Sequence, residues 1–185
     1  MYGMVNKAIE DMVRNGHGED TWDRIRDAAG LDIDVFISND SYPDDLTYRL
    51  VDAASRVLGA PADEILKAFG EHWVLHTAQD GYGSLMAAGG GSLPEFLLNL
   101  PNFHTRVQMI FPNLQPPTFE CGELTERSLL LHYRTHRPGL ANFVIGLLQG
   151  LGKRFGTPVR VTRLDRREDG ASHDTFRVEW TPPGG

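Results

Sequence analysis

Hydrophobic residues in the first part of the chain recur every three or four positions, the spacing that places side chains on one face of a helix. The pattern predicts helices near the first residue, around Trp22, after Pro43, after Pro61 and after Ser92. Gly59 follows the third of these helices, at the position where a left-handed residue commonly ends a helix. The apolar stripe of the fifth helix consists of Leu93, Phe96, Leu97, Leu100, His104 and Val107.

Beyond Pro117 the hydrophobic period changes from about four residues to two, which is typical of strands. A stripe at helical spacing after Pro138 interrupts the strands and predicts one more helix. The alternating segments are residues 119–121, 129–133, 159–164 and 175–180.

A run of helices followed by a few strands indicates the α+β class. We expect a single domain, residues 1–185, with an N-terminal helical lobe in residues 1–60 and a C-terminal lobe in residues 61–185. In the second lobe a small antiparallel sheet, of about four strands, is expected to pack on helices.

Composition narrows the class of protein. With 41% hydrophobic and 23% charged residues, the chain of 185 residues is typical of one globular domain. Its net charge of -7 argues against general nucleic-acid binding, which requires a basic face. One cysteine cannot form an internal disulfide, and the sequence contains neither a membrane-length apolar run nor a signal-peptide pattern. We therefore expect a cytoplasmic protein without a membrane or nucleic-acid partner.

His104 occupies a position in the fifth helix where the pattern calls for a leucine. A neutral imidazole on an apolar face needs partners for two nitrogens, which a hydrophobic core does not provide. One interpretation is a core histidine bonded to a backbone carbonyl. The other is an iron ligand, because neutral imidazole is a common axial ligand of haem.

A second candidate feature is the segment Tyr133-Arg134-Thr135-His136-Arg137. If the strand continues through it, Tyr133, Thr135 and Arg137 point to the same side, because side chains alternate along a strand. A phenol, a hydroxyl and a guanidinium can together donate to a pair of carboxylates, and haem carries two propionates. A solvated strand end would give the same pattern.

These features occur together in an order that resembles the haem–nitric oxide/oxygen binding (H-NOX) family, which is related to the haem domain of soluble guanylate cyclase. Within this family, the resemblance points to stand-alone bacterial and cyanobacterial members. The resemblance extends from residue 1 to about residue 180. It rests on four stretches: Met1-Tyr2-Gly3-Met4-Val5-Asn6-Lys7-Ala8; Leu93-Pro94-Glu95-Phe96 with Asn102-Phe103-His104; Phe111-Pro112 through Pro116-Pro117 to Phe119-Glu120-Cys121; and Tyr133-x-Thr135-x-Arg137.

The resemblance implies a haem b (iron protoporphyrin IX) between the two lobes, with His104 as the proximal iron ligand. It implies that Tyr133, Thr135 and Arg137 hold the propionates. Val5 and Pro117 match family positions that press on the porphyrin and distort it.

The resemblance also assigns a distal pocket to the fourth helix and to the helix after the propionate motif. Trp73 and Thr77 are four residues apart on the fourth helix, so both are expected to line that pocket. Members that hold oxygen have a tyrosine where this chain has Phe143. We therefore predict a sensor of nitric oxide, which also binds carbon monoxide. An oxygen-binding or redox-sensing haem protein remains the alternative, because the indole N–H of Trp73 can donate.

Two residues depart from the family pattern. Thr135 replaces the usual serine, which keeps the hydroxyl but stiffens the side chain. Pro101 cannot donate to the carbonyl of Leu97, so the helix is expected to kink or restart just before His104. Cys121 matches a family cysteine, and a small buried strand residue explains it as well as a thiol that reacts near haem.

Two other functions fit parts of the sequence. A zinc-dependent enzyme is the rival from another class, because His72 and His76 lie four apart on a helix, although without the glutamate of metalloproteases. An interaction module that has lost its haem is a third possibility. No nucleophile–base pair, P-loop or dinucleotide fingerprint is present, so no enzymatic activity is assigned. The resemblance implies a separate signalling partner, such as a histidine kinase, a cyclic-di-GMP enzyme or a cyclase.

Overall fold

The fold is that of a computed structural model, which describes residues 1–112 and 114–181. Helices form most of the first two-thirds, and a sheet with one long helix forms the rest. The helices are α1 (Gly3–His17), α2 (Glu19–Ala28), α3 (Asp44–Leu58), α4 (Ala62–His72), α5 (Ala78–Ala87), α6 (Leu93–Leu98), α7 (Leu100–Ile110) and α8 (Ala141–Arg154). A π-helical turn (Trp73–Thr77) joins α4 to α5, and a 3-10 turn covers Arg167–Asp169.

The strands are β1 (Thr118–Gly122), β2 (Ser128–Arg134), β3 (Val159–Asp165) and β4 (Asp174–Trp180). They form one four-stranded sheet in the order β1-β2-β4-β3, and all neighbouring strands are antiparallel. The predicted α+β class with a small antiparallel sheet is therefore confirmed.

The helix starts agree with the sequence pattern because each has a residue suited to that position. Pro43 and Pro61 directly precede α3 and α4 in extended conformation. Gly59 ends α3 with φ 66°, which only glycine adopts readily. At α6 the hydroxyl of Ser92 accepts a hydrogen bond from the backbone N–H of Glu95 at 3.4 Å.

Two hydrophobic clusters share the interior. The N-terminal cluster is built from residues 8–69 and the C-terminal cluster from residues 74–180, while Trp73 packs against both. The change of cluster therefore falls at Trp73. This position lies beyond the predicted boundary between residues 60 and 61, because Leu66 and Phe69 of α4 still pack in the N-terminal cluster.

The helices α4 and α8 cross with their backbones in contact. A methyl group on Gly146 would overlap the carbonyl of Lys67, and one on Gly70 would overlap the carbonyl of Phe143. Both glycines are needed for this close approach, which fixes one wall of the space between the two clusters.

The predicted fifth helix is divided into α6 and α7 at Asn99, whose φ and ψ are -93° and 1°. Pro101 explains the break, because it has no N–H to donate to the carbonyl of Leu97. That carbonyl instead accepts from the thiol of Cys121 at 3.3 Å. The expectation that the helix restarts just ahead of His104 agrees with the structure.

Across residues 1–112 and 114–181, no helix combines the length and the apolarity that crossing a membrane requires.

Candidate haem site

A largely apolar cavity of about 230 Å³ lies between the two clusters. Side chains of both clusters contribute to its wall, including Leu66 and Phe69 from one and Phe119 and Val144 from the other. The predicted site residues that line it are Val5, Trp73, His104, Pro117, Tyr133, Thr135, Arg137 and Phe143.

His104 is held in this wall by α7 and by the ring of Phe119, whose centroid lies 5.4 Å from that of the imidazole. Burial lowers the pKa of His104 to about 4, although a hydrogen bond with the Pro117 backbone works in the opposite direction. The imidazole is therefore neutral at pH 7, the form that binds metals. Its Nδ1 atom is buried and has no hydrogen-bond partner among the residues that the structure describes. A buried polar atom without a partner is costly, and a ligand from outside the chain would relieve that cost.

Tyr133 and Thr135 lie near the polar end of the cavity. The strand β2 ends at Arg134, so the alternation assumed for the whole motif stops before Thr135. Even so, Tyr133, Thr135 and Arg137 all face the cavity. Burial raises the pKa of Tyr133 to about 12, with a partly opposing hydrogen bond to the Thr135 side chain. The phenol is therefore a neutral donor at pH 7.

Arg137 makes the polar end of the cavity suited to carboxylates. Its Nε donates to Oδ2 of Asp44 at 2.7 Å, and its Nη1 donates to the carbonyl of Gln115 at 2.8 Å. The amino group of Met1 donates to the other oxygen of Asp44 at 2.5 Å. Burial would raise the pKa of Asp44, but the hydrogen bonds from these two cations outweigh it and lower the pKa.

The distal side differs from the prediction at Thr77. Trp73 lines the cavity, and the next residue of this segment that lines it is Ala78. Thr77 is not one of the described residues that line the cavity. The reason is the π turn Trp73–Thr77, in which the hydrogen bonds span five residues instead of four. The residue that shares a face with Trp73 is therefore five positions later.

The structure adds residues that the sequence pattern did not single out. Tyr48 and Tyr82 line the cavity, and both hydroxyls are engaged: Tyr48 donates to the carbonyl of Pro138 at 2.9 Å and Tyr82 to Sδ of Met4 at 3.3 Å. Asp44 was also missed, because an acidic residue in the first turn is expected of any helix.

The rings of His72 and His76 lie 4.6 Å apart at the junction of α4 and the π turn. Neither residue lines the cavity in the described structure. Within the described ranges, no group of three or more histidine, cysteine, aspartate or glutamate side chains is arranged to hold a metal. Among the described side chains, His72 and His76 therefore have no third ligand for zinc.

Comparisons with known proteins show which family the chain belongs to. The family model described as Haem-NO-binding (HNOB) matches residues 2–163. Soluble guanylate cyclase gcy-32 of Caenorhabditis elegans is 33% identical over 157 residues, which are 83% of this chain and 23% of that protein. Soluble guanylate cyclase gcy-31 of the same organism is 29% identical over 170 residues, or 91% of this chain and 24% of that protein. The chain thus spans about a quarter of the length of these relatives.

Solved structures share the fold. An H-NOX protein from S. oneidensis in the Fe(II)NO ligation state superposes with a TM-score of 0.88 at 20% identity, covering 98% of this chain and 99% of that chain. The Fe(II) unliganded H-NOX protein from K. algicida gives a TM-score of 0.86 at 23% identity, covering 100% and 99%. At these identities the likeness shows the fold alone. Together with the family model, which matches most of the sequence, it means that the chain belongs to the Haem-NO-binding (H-NOX) family.

Proposed function

We propose that this chain binds haem b in the cavity, with His104 as the axial ligand of the iron, and that it senses nitric oxide. The observation that carries the proposal is His104 itself: a neutral imidazole in an apolar wall, whose buried Nδ1 finds no partner within residues 1–112 and 114–181. Membership of the Haem-NO-binding family supports the same cofactor.

The polar end of the cavity fits the two propionates. Arg137 donates to one carboxylate, that of Asp44, which supports a role for its guanidinium in binding a propionate. Tyr133 and Thr135 add hydroxyl donors on the same side. Val5 and Pro117 lie in the wall, where their bulk would bend a flat ring that enters. Replacing Pro117 with alanine should therefore flatten the bound porphyrin.

The distal wall supports nitric oxide over oxygen. Bound oxygen carries partial negative charge and is held by a hydrogen-bond donor, whereas nitric oxide depends much less on one. Phe143 offers no donor, and the hydroxyls of Tyr48 and Tyr82 already donate elsewhere. Trp73 is the residue whose N–H could still serve oxygen, which keeps the oxygen-binding alternative testable.

When bound, ferrous haem would supply the iron that takes the gas. His104 would hold that iron and link it to α7. Because Leu100 is the buried residue of α7, little packing opposes a movement of this helix against β1. We infer that α7 moves and that the two lobes then rotate relative to each other.

We propose that a separate signalling protein reads this movement, such as a histidine kinase, a cyclic-di-GMP enzyme or a cyclase. The matched relatives are named soluble guanylate cyclases, which supports a signalling output. The chain itself is assigned a sensing role without catalysis, in the cytoplasm.

Absorption spectra of the purified protein test the proposal. We expect a Soret band in the ferrous protein that shifts when nitric oxide is added. His104→Gly should lose the native axial bond, and added imidazole should restore the spectrum by occupying the vacated space. His76→Gly, at an exposed histidine outside the cavity, is the matched control. A His104→Gly variant that holds porphyrin with an unaltered axial bond would rule out the assignment.

The gas preference has its own test. The wild-type ferrous protein should not form a stable oxygen complex in air, whereas Phe143→Tyr should prolong one by adding a donor. Phe143→Leu changes the shape of the wall without adding a hydroxyl and serves as the control. A stable ferrous–oxy spectrum of the wild-type protein would contradict the preference for nitric oxide.

A further inference from the structure

The segment that carries Thr135 and Arg137 lies outside the sheet, because β2 ends at Arg134. Its position therefore depends on contacts other than strand pairing. One such contact is made by the backbone of Thr135: Nη1 of Arg167 donates to the carbonyl of Thr135 at 2.7 Å. Arg167 begins the 3-10 turn between β3 and β4 and is remote in sequence from the propionate motif.

Arg167 is itself tied to the sheet by Asp174. The backbone N–H of Arg167 donates to Oδ1 of Asp174 at 3.1 Å. That carboxylate is 4% exposed and also accepts from Nε of Arg163 at 3.0 Å and from its Nη2. Arg163 in turn forms two hydrogen bonds of 2.5 Å with the carboxylate of Glu168, in the same turn. Charge-assisted bonds of this kind are stronger than neutral ones, so the turn is held firmly.

The same carboxylate faces the other end of the propionate motif. Asp174 is the cross-strand partner of Tyr133, so β4 fixes the start of the motif through the sheet. Arg167 fixes its middle at the Thr135 carbonyl. Within the motif, the backbone N–H of Arg137 donates to Oγ1 of Thr135 at 3.1 Å. A displacement of Thr135 would therefore be passed on to Arg137.

We propose that Arg167, anchored by Asp174 and Arg163, is a positioning residue that sets the placement of Thr135 and Arg137 toward the carboxylates of the bound porphyrin. The inference rests on the proposed haem site and goes beyond it. It assigns control of propionate binding to a turn that does not itself line the cavity in the described structure.

Metal-free protoporphyrin IX and its dimethyl ester provide the test, because the ester lacks the charges that Arg137 would bind. Metal-free porphyrin also removes the bond to His104 from the measurement. Its dissociation from the protein is followed by fluorescence. In Arg167→Ala, the diacid should dissociate about tenfold faster, the size expected for the loss of one charge-assisted hydrogen bond. The dissociation of the ester should not change.

Arg166→Ala is the matched control, since Arg166 is the exposed neighbour and its loss changes the net charge equally. It should leave both dissociation rates as in the wild type. Arg167→Gln retains an N–H donor without the charge and should give an intermediate rate for the diacid. This variant decides the question if Arg167→Ala does not fold.

Equal acceleration for diacid and ester would overturn the inference, because it would mean a general loosening of the cavity. Unchanged rates for both would also overturn it, while leaving the haem site itself intact. A wild-type protein that binds neither porphyrin would overturn the proposed function and this inference together.

Discussion

Two helices that face the cavity differ sharply in how they are held. α8 carries Phe143 and buries residues along its whole length, and Gly146 brings its backbone against α4. α7 carries His104, buries Leu100, and leaves Met109 79% exposed. Regions with few buried contacts open at low free energy, whereas densely packed ones open only with the whole protein. The wall that contains Phe143 on α8 is therefore held firmly. We expect the wall that contains His104 on α7 to move at a lower free energy.

The largest expected effect is at the α4–α8 crossing. In Gly146→Ala the new methyl group would overlap the carbonyl of Lys67, and the helices would have to separate. Overpacking against backbone should lower the free energy of unfolding by about 3 kcal/mol. Urea denaturation measures it. Gly16→Ala, in α1 with open space around it, is the control and should be neutral or stabilising. Equal effects at the two glycines would remove the basis for calling α8 rigid.

Truncation of one side chain on each helix sharpens the comparison. Leu148 of α8 is 2% exposed, so Leu148→Ala should cost about 2–3 kcal/mol of unfolding free energy. Met109→Ala on α7 should stay within about 0.5 kcal/mol of the wild type, because that side chain already lies in solvent. Urea unfolding of both variants gives the difference. If Met109→Ala lowered the free energy of unfolding by a comparable amount, the exposed Met109 side chain would contribute to packing, and α7 could not be called loosely held.

Making α6 and α7 one continuous helix should reduce the mobility of α7. Pro101→Ala restores an N–H that can donate to the carbonyl of Leu97 and make the helix continuous. We expect amide hydrogen exchange in the first turn of α7 to slow about tenfold, because the variant would gain the free energy of roughly one hydrogen bond. In the ferrous haem protein, the iron–histidine stretching frequency should shift as well. Pro94→Ala, in the first turn of α6 where no donor is needed, is the control. Unchanged exchange and frequency would show that Pro101 does not loosen α7.

The smallest effect concerns the thiol of Cys121, which donates from β1 to the carbonyl of Leu97 in α6, just before α7. Burial raises the pKa of the Cys121 thiol to about 11 from an ordinary 9.0. Between these values the unfolded chain has lost the proton that the native protein keeps, so this group lowers stability as pH rises through that window. The rate of alkylation by iodoacetamide should therefore still rise with pH at pH 10 in the native protein, but level off above pH 9 in urea. A native profile that levels off near 9 would contradict the buried, protonated thiol.

Local chemistry explains why much of the fold could be predicted. Proline and serine at helix starts, and glycine at Gly59, act within a few residues, so Pro43, Pro61 and Ser92 gave the correct helix starts. The alternation of hydrophobic residues likewise gave the strands. The break at Pro101 followed from a missing donor, which is a property of one residue.

The errors have a tertiary origin. Thr77 was expected in the cavity on the assumption of regular α-helix, but the π turn at Trp73–Thr77 moves Ala78 to that face. Asp44 was not singled out because its partners, Met1 and Arg137, are distant in sequence. Such pairings depend on how the two lobes meet, which neither periodicity nor spacing reports.

The cavity lies where two separately packed clusters meet, and Trp73 contacts both. The crossing of α4 and α8 holds the two clusters together along one side of the cavity, because their backbones touch at Gly70 and Gly146. Away from that crossing each cluster keeps its own internal contacts. We therefore expect the size of the molecule that enters the cavity to set the separation of the two clusters on the side of α7.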